Sequence, residues 1–243
     1  MSDQASTIMV NTLEPQSGTT LTVGKSGQNL VINADSLKAN VAKDAGGNAI
    51  FTSDGSGSLS GLNSGLGSAQ TLISSQTADD SSSISFTSGI DSTYKHYVFE
   101  LIRISPAEDA KAVTFQCSTD GGSNYNTTMT STSFRAYHME SSPNTTALGY
   151  ASSAGNSTAF RIIAHEVSYS ADSACVVELH LFNPSSTVYV KNWYSLNQMV
   201  QHVASSYWRP TAGYFNTTSA INAIQFKMSS GNFDGIIKMY GIS

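Results

Sequence analysis

Charge is scarce in this chain. Lys and Arg number 12, Asp and Glu 17, so 12% of 243 residues are charged and the formal net charge is −5. A protein that neutralises phosphates or an anionic bilayer needs a basic footprint, which excludes nucleic acid as a partner. Cysteine is nearly absent. Cys117 and Cys175 each fall in a strand-like apolar run, and two cysteines make no disulfide framework, so both read as small buried apolar residues. No run approaches the 18 apolar residues of a membrane span, which argues against membrane insertion. Met1 to Thr7 lacks the basic region and apolar core of a secretion signal, which predicts a soluble, unexported product. Aromatic residues are missing from the first third. All 11 Tyr, both Trp and nine of the 10 Phe follow residue 83, leaving Phe51 alone before it. That region therefore holds no ordinary core.

What is abundant favours strands and turns. Ser and Thr make up about a quarter of the chain and there are 19 Gly. Between residues 219 and 242, Ile224, Phe226 and Met228 alternate with Ala223, Gln225 and Lys227, and Ile237 and Met239 flank Lys238. This period of two, interrupted by the turn formers of 229–235, predicts a closing β-hairpin whose apolar face lies on a second sheet. The final residues are expected to form an interior strand. Further strand signals fall at 84–86, 97–104, 113–117, 160–163, 175–181 and 187–190. Leu196, Met199, Val200 and Val203 fit a helical spacing, but without a cap and between strand-like runs they read as strand or loop.

The expected fold is all-β, in three parts. Residues 1–52 form an extended β-rich attachment segment with short strands at 8–10, 20–23 and 30–32. A Gly/Ser-rich linker covers 53–83, and residues 84–243 form an antiparallel β-sandwich, jelly-roll-like. Small broken apolar runs do not offset backbone ordering of about 1–2 kcal/mol per residue, so the first segment is expected to find order against other chains.

Several patterns carry chemistry on paper. Gly18 to Ser26 resembles a phosphate-binding loop, but five residues separate its glycines where four are needed and no helix follows. Ser118-Thr119-Asp120-Gly121-Gly122-Ser123-Asn124-Tyr125 resembles the Asp-box of sialidases, with Asn124 and Tyr125 in its last two positions. There the box is a structural hairpin, so Asp120 is expected to accept backbone N–H bonds across a turn. His96, His138, His165, His180 and His202 show no metal-ligand spacing, and His165 and Glu166, adjacent in a strand, should point to opposite faces. The carboxylates are thinly spread and no G-x-S-x-G elbow is present. No catalytic residue, metal ligand or cofactor is predicted. Tyr189, Trp193, Tyr194, Tyr207, Trp208 and Tyr214, with amides such as Asn192 and Gln198 among them, suit recognition of sugar or protein. Plain core packing competes with that reading at each of the six.

Leu13-Glu14-Pro15-Gln16-Ser17-Gly18-Thr19-Thr20-Leu21-Thr22-Val23-Gly24, Thr87-Ser88-Gly89-Ile90-Asp91-Ser92-Thr93-Tyr94, Leu181-Phe182-Asn183-Pro184-Ser185-Ser186-Thr187, and Met228-Ser229-Ser230-Gly231-Asn232-Phe233-Asp234-Gly235 followed by Met239-Tyr240-Gly241 carry a wider resemblance. With these segments the chain resembles virion proteins of marine tailed bacteriophages, associated with tail fibres or other head or tail appendages. The resemblance implies a non-enzymatic, commonly trimeric structural protein of the virion, assembled in the host cytoplasm. Its N-terminal segment would bind tail or capsid proteins, and its β-domain would face outward, toward a host-surface glycan or protein. A capsid-bound head fibre or decoration protein is the alternative, and a carbohydrate-active enzyme the second.

Overall fold

The computed structural model describes residues 41–43, 48–53, 59–60, 69–141, 145–151 and 153–242. The chain divides into two compact units, Met1–Asn63 and Ser64–Ser243. In the first, β1 (Val41–Lys43), β2 (Ala49–Ser53) and β3 (Leu59–Ser60) form an antiparallel sheet with β2 central. Phe51, the lone aromatic of this region, is half-buried on β2. The strands expected at 8–10, 20–23 and 30–32, and most of the Gly/Ser-rich stretch, lie outside the described residues.

The second unit is an all-β sandwich. Its strands are β4 (Gln70–Ser81), β5 (Ile84–Phe86), β6 (His96–Pro106), β7 (Lys111–Ser118), β8 (Met129–Met139), β9 (Thr146–Tyr150) and β10 (Ala154–Ser157). They continue as β11 (Arg161–Val167), β12 (Cys175–Phe182), β13 (Lys191–Gln201), β14 (Ser205–Trp208), β15 (Thr211–Phe215), β16 (Ala223–Met228) and β17 (Phe233–Ile242). The pairing is nested: β4 joins β17, β5 joins β16, β6 joins β12 and β7 joins β11, all antiparallel. This is a long double strand rolled up, the order of a jelly roll.

The larger sheet runs β4-β17-β6-β12-β13 and continues through β14 and β15 to β8, β9 and β10. The smaller runs β11-β7-β16-β5, and the pair Val167–Gln201 joins the two at one edge. Alternation along each strand turns one face of each sheet inward. There the rings meet across the gap: Phe86 and Phe226 lie 5.7 and 5.5 Å from Phe99, and Phe115 lies 4.8 Å from Trp193 and 6.2 Å from Phe215. Each such side chain contributes about 1.5–3 kcal/mol through burial. Cys117 and Cys175 are unpaired and fully buried, as their apolar surroundings in sequence implied.

The structure corrects the reading of the sequence at several elements. The two last strands do not form a hairpin. β16 lies between β7 and β5 in the smaller sheet, and β17 between β6 and β4 in the larger, so the intervening turn crosses from sheet to sheet. A period of two reports which face is buried and says nothing about which strand lies alongside. β17 is nonetheless interior, as expected. Residues 187–190 are no strand: Val188 and Tyr189 are 68% and 67% exposed, and their backbone N–H groups donate to the Ser186 hydroxyl at 3.2 and 3.0 Å. That local turn outcompetes the β-branched preference of Thr187, Val188 and Val190. The apparent helical spacing of Leu196 and Met199 falls on β13, where Leu196 faces out and Met199 in. Finally, the expected linker contains β4, a strand of 12 residues paired along its length with β17, so the sandwich begins near Gln70 and not at Ile84. β4 is polar because it is an edge strand held by its neighbour's backbone, with Ala78 as its buried residue.

Candidate functional site

The Asp-box-like turn is structural. Asp120 Oδ1 accepts from the Ser118 hydroxyl at 2.6 Å and from the Asn124 backbone N–H at 2.9 Å, while Oδ2 accepts from the Asn124 side chain at 2.7 Å. Gly121 and Gly122 hold φ of 75° and 90°, and a methyl at Gly122 would lie 2.8 Å from the Tyr125 hydroxyl, so Tyr125 packs against the turn as expected. The Ser118 hydroxyl, then the Asn124 donors, hold the Asp120 carboxyl down at about 2. Its ordinary unfolded value is about 3.9. A depressed carboxylate stabilises the turn fully above the unfolded value and loses that effect as pH falls through about 2. The Gly122 and Asn124 amide resonances are expected to stay put from neutral pH down to the ordinary carboxylate range and to move only in strong acid. Movement centred near the ordinary value would refute the bonding scheme.

Of the six aromatic candidates, two leave the surface. Trp193 and Tyr207 are 2% and 1% exposed, turned inward by the alternation of β13 and β14, and they belong to the core. Tyr194, Trp208 and Tyr214, 36%, 42% and 39% exposed, project from the outer face of the larger sheet, and Tyr189 sits in the preceding loop. The register builds that face in rows. One runs Leu72, Tyr240, Val98, His180, Tyr194, Ala212 and Thr132 across seven strands. The next runs Ser75, Lys238, Glu100, Glu178 and Leu196.

Two of the five histidines come together here. His96 Nε2 lies 2.7 Å from His180 Nδ1, and His180 Nε2 bonds Glu178 Oε1. With Glu178 ionised, Nε2–H of a neutral His180 donates to it, which leaves Nδ1 to accept from His96 Nε2–H. Desolvation first, and then the neighbouring His180, lower the pKa of His96, with Glu178 opposing. The rings stack as a ladder, His96 on Phe182 and His180 on Tyr194, both at 4.4 Å. The expectation for His165 and Glu166 also fails. Glu166 adopts φ 58° at an irregularity of β11, and its carboxylate comes within 3.7 Å of His165 Nδ1.

Glu100 and Glu178 stand directly opposite each other, the like-charge arrangement that costs a sheet stability. With Ile102, Val176, Leu196 and Gln198 they line a groove of about 340 Å³. Leu196 also walls a slot of about 130 Å³ over Ala212, closed by Tyr194, Pro210 and Phe134. Phe134 in turn borders a hollow of about 540 Å³ with Leu148, Gly149 and Tyr150. The face thus carries one connected track whose walls are mostly aliphatic and aromatic. Among the described residues no cluster of three or more His, Cys, Asp and Glu is placed to hold a metal ion. Glu178, His180 and Phe182 were legible as a same-face set at i, i+2 and i+4. Their partners His96 and Glu100 required the register. Comparison with protein-family models, with curated proteins and with solved structures finds no match.

Proposed function

We propose that this chain is a structural component of a tailed-phage virion, a tail fibre or tail-associated protein without catalytic activity. Residues 64–243 would be the displayed domain and the N-terminal unit would attach to tail or capsid proteins, with copies of the chain associating as a trimer. What supports the reading is the division into an N-terminal unit and a separate, tightly packed all-β sandwich, taken with the resemblance in sequence. The same architecture would serve a head fibre or decoration protein. The displayed domain would meet a host-surface glycan or protein. Antibodies raised against residues 64–243 are expected to decorate the tails of purified particles. Decoration of the capsid would move the protein to the head, and absence from the particle would end the virion reading.

One observation favours a second reading, a carbohydrate-active enzyme: the opposed Glu100 and Glu178 share a groove. Purified protein is expected to release no reducing ends from host-surface polysaccharide. Release that is lost in Glu178→Gln would establish the enzyme instead.

A further inference from the structure

We infer that the outer face of the larger sheet is a contact between copies of this chain. The inference goes beyond the virion reading and stands independently of it. The face carries a group of exposed apolar side chains: Val176, Leu196 and Ile236 are 46%, 41% and 38% exposed, and Leu148 and Tyr150 75% and 94%. These residues are contiguous. Trp208, Ala136 and Leu148 are cross-strand neighbours, as are Phe134 and Tyr150, and Leu196 and Phe134 border the same slot.

Size is the first argument for the occupant. Eight strands spaced ~4.8 Å apart, by four rows of side chains repeating every ~6.8 Å along the strands, give roughly 1,000 Å². A stable interface buries about 800 Å² on each partner. The face therefore suffices without further surface.

Chemistry is the second. The track between Val176 and Tyr150 is walled by Leu196, Pro210, Ala212, Phe134 and Leu148, with its charged and amide side chains, Glu100, Glu178, Asn197 and Gln198, confined to the groove at one end. Such a surface is complemented by another apolar sheet about 10 Å away, the arrangement already found inside the sandwich. A second copy turned about a two-fold axis brings the same patch to both sides of an isologous contact, so this contact pairs chains and is distinct from the threefold association proposed above. The Glu100–Glu178 pair sits within the patch beside Lys238, so the charges on its central strands include both signs.

The test uses the full chain and one introduced thiol. Cys117 and Cys175 are buried, so in Leu196→Cys the new thiol is the accessible one, and reaction of the native pair would report misfolding. Labelling of Leu196→Cys by a bulky maleimide is expected to slow on the order of tenfold between roughly 1 µM and 100 µM protein, as mass action fills the contact. Ala159→Cys, an exposed position before β11 of the smaller sheet, should label at one rate throughout. Adding Val176→Arg or, separately, Ile236→Arg to Leu196→Cys should abolish the concentration dependence while the native thiols stay silent. A rate at 196 that ignores concentration would overturn the inference. So would protection that survives both arginine variants, or that appears only on adding host-surface polysaccharide or another protein.

Discussion

Phe226→Asp is expected to leave the second unit unfolded at 25 °C, with loss of cooperative melting and of resistance to protease. Phe226 is fully buried on β16 between Phe115 and Ile84 of the adjoining strands, and its ring meets Phe99 of the opposite sheet at 5.5 Å. Truncating a buried Phe costs about 3–5 kcal/mol through lost transfer energy and the cavity left behind. An unpaired carboxylate at the same place adds several kcal/mol more, the cost of taking its charge out of water. Whole domains are stable by only about 5–15 kcal/mol. Phe226→Leu keeps an apolar group in the gap and should fold with a lowered melting temperature. If the Asp variant melted like the parent, the inner face of β16 would be wrongly assigned.

Gly213→Ala should destabilise the sandwich by about 3 kcal/mol, the upper end for overpacking a filled core. The residue stands in β15 between Trp193 of β13 and Ser131 of β8, and the indole lies across it. A methyl there would come 2.4 Å from the Thr130 carbonyl oxygen and 2.9 Å from Trp193 Cζ2. The indole can turn a little. The carbonyl belongs to the neighbouring strand and yields only if β8 moves. Urea denaturation should show a lower midpoint with an unchanged slope, since the surface exposed on unfolding is the same. An unchanged midpoint would mean that β8 and β15 lie farther apart than described.

Much of the fold was legible because burial writes itself into side chains. Phe226, Met228, Ile237 and Met239 announce inward faces, and the cluster of aromatics after residue 83 marks the unit that contains the core. Strand partners are chosen by backbone hydrogen bonds, which leave no such trace. Hence the mistaken hairpin of β16 and β17, and hence β4, whose Gln, Thr, Ser and Asp residues resemble a linker until β17 is placed beside them. β8 to β10, β14 and β15 escaped notice for a related reason, since Ser, Thr, Gly and Ala break up the alternation of their large side chains. The candidate site divides in the same way. Trp193 and Tyr194 look alike in sequence, and only the phase of β13 sends one inward and the other out. Glu178, His180 and Phe182 share a face by spacing alone, but His96 is 84 residues from His180, and no local pattern could join them.

The nested pairing also orders events in time. Loop closure is least costly where paired residues are nearest in sequence, so hairpins such as Gln201 with Ser205 are expected first, and among the nested pairs the inner bend where Phe115 meets Arg161 closes before the rest. From there pairing zips outward through β6 with β12 and β5 with β16 to the outermost pair, where the Asp80 backbone N–H reaches the Asp234 carboxylate across 154 residues. So many non-local contacts place folding in the slow range of milliseconds to seconds. Until β17 enters, β6 shows an unpaired edge to the surroundings, and that interval is when the chain is most prone to join its neighbours wrongly.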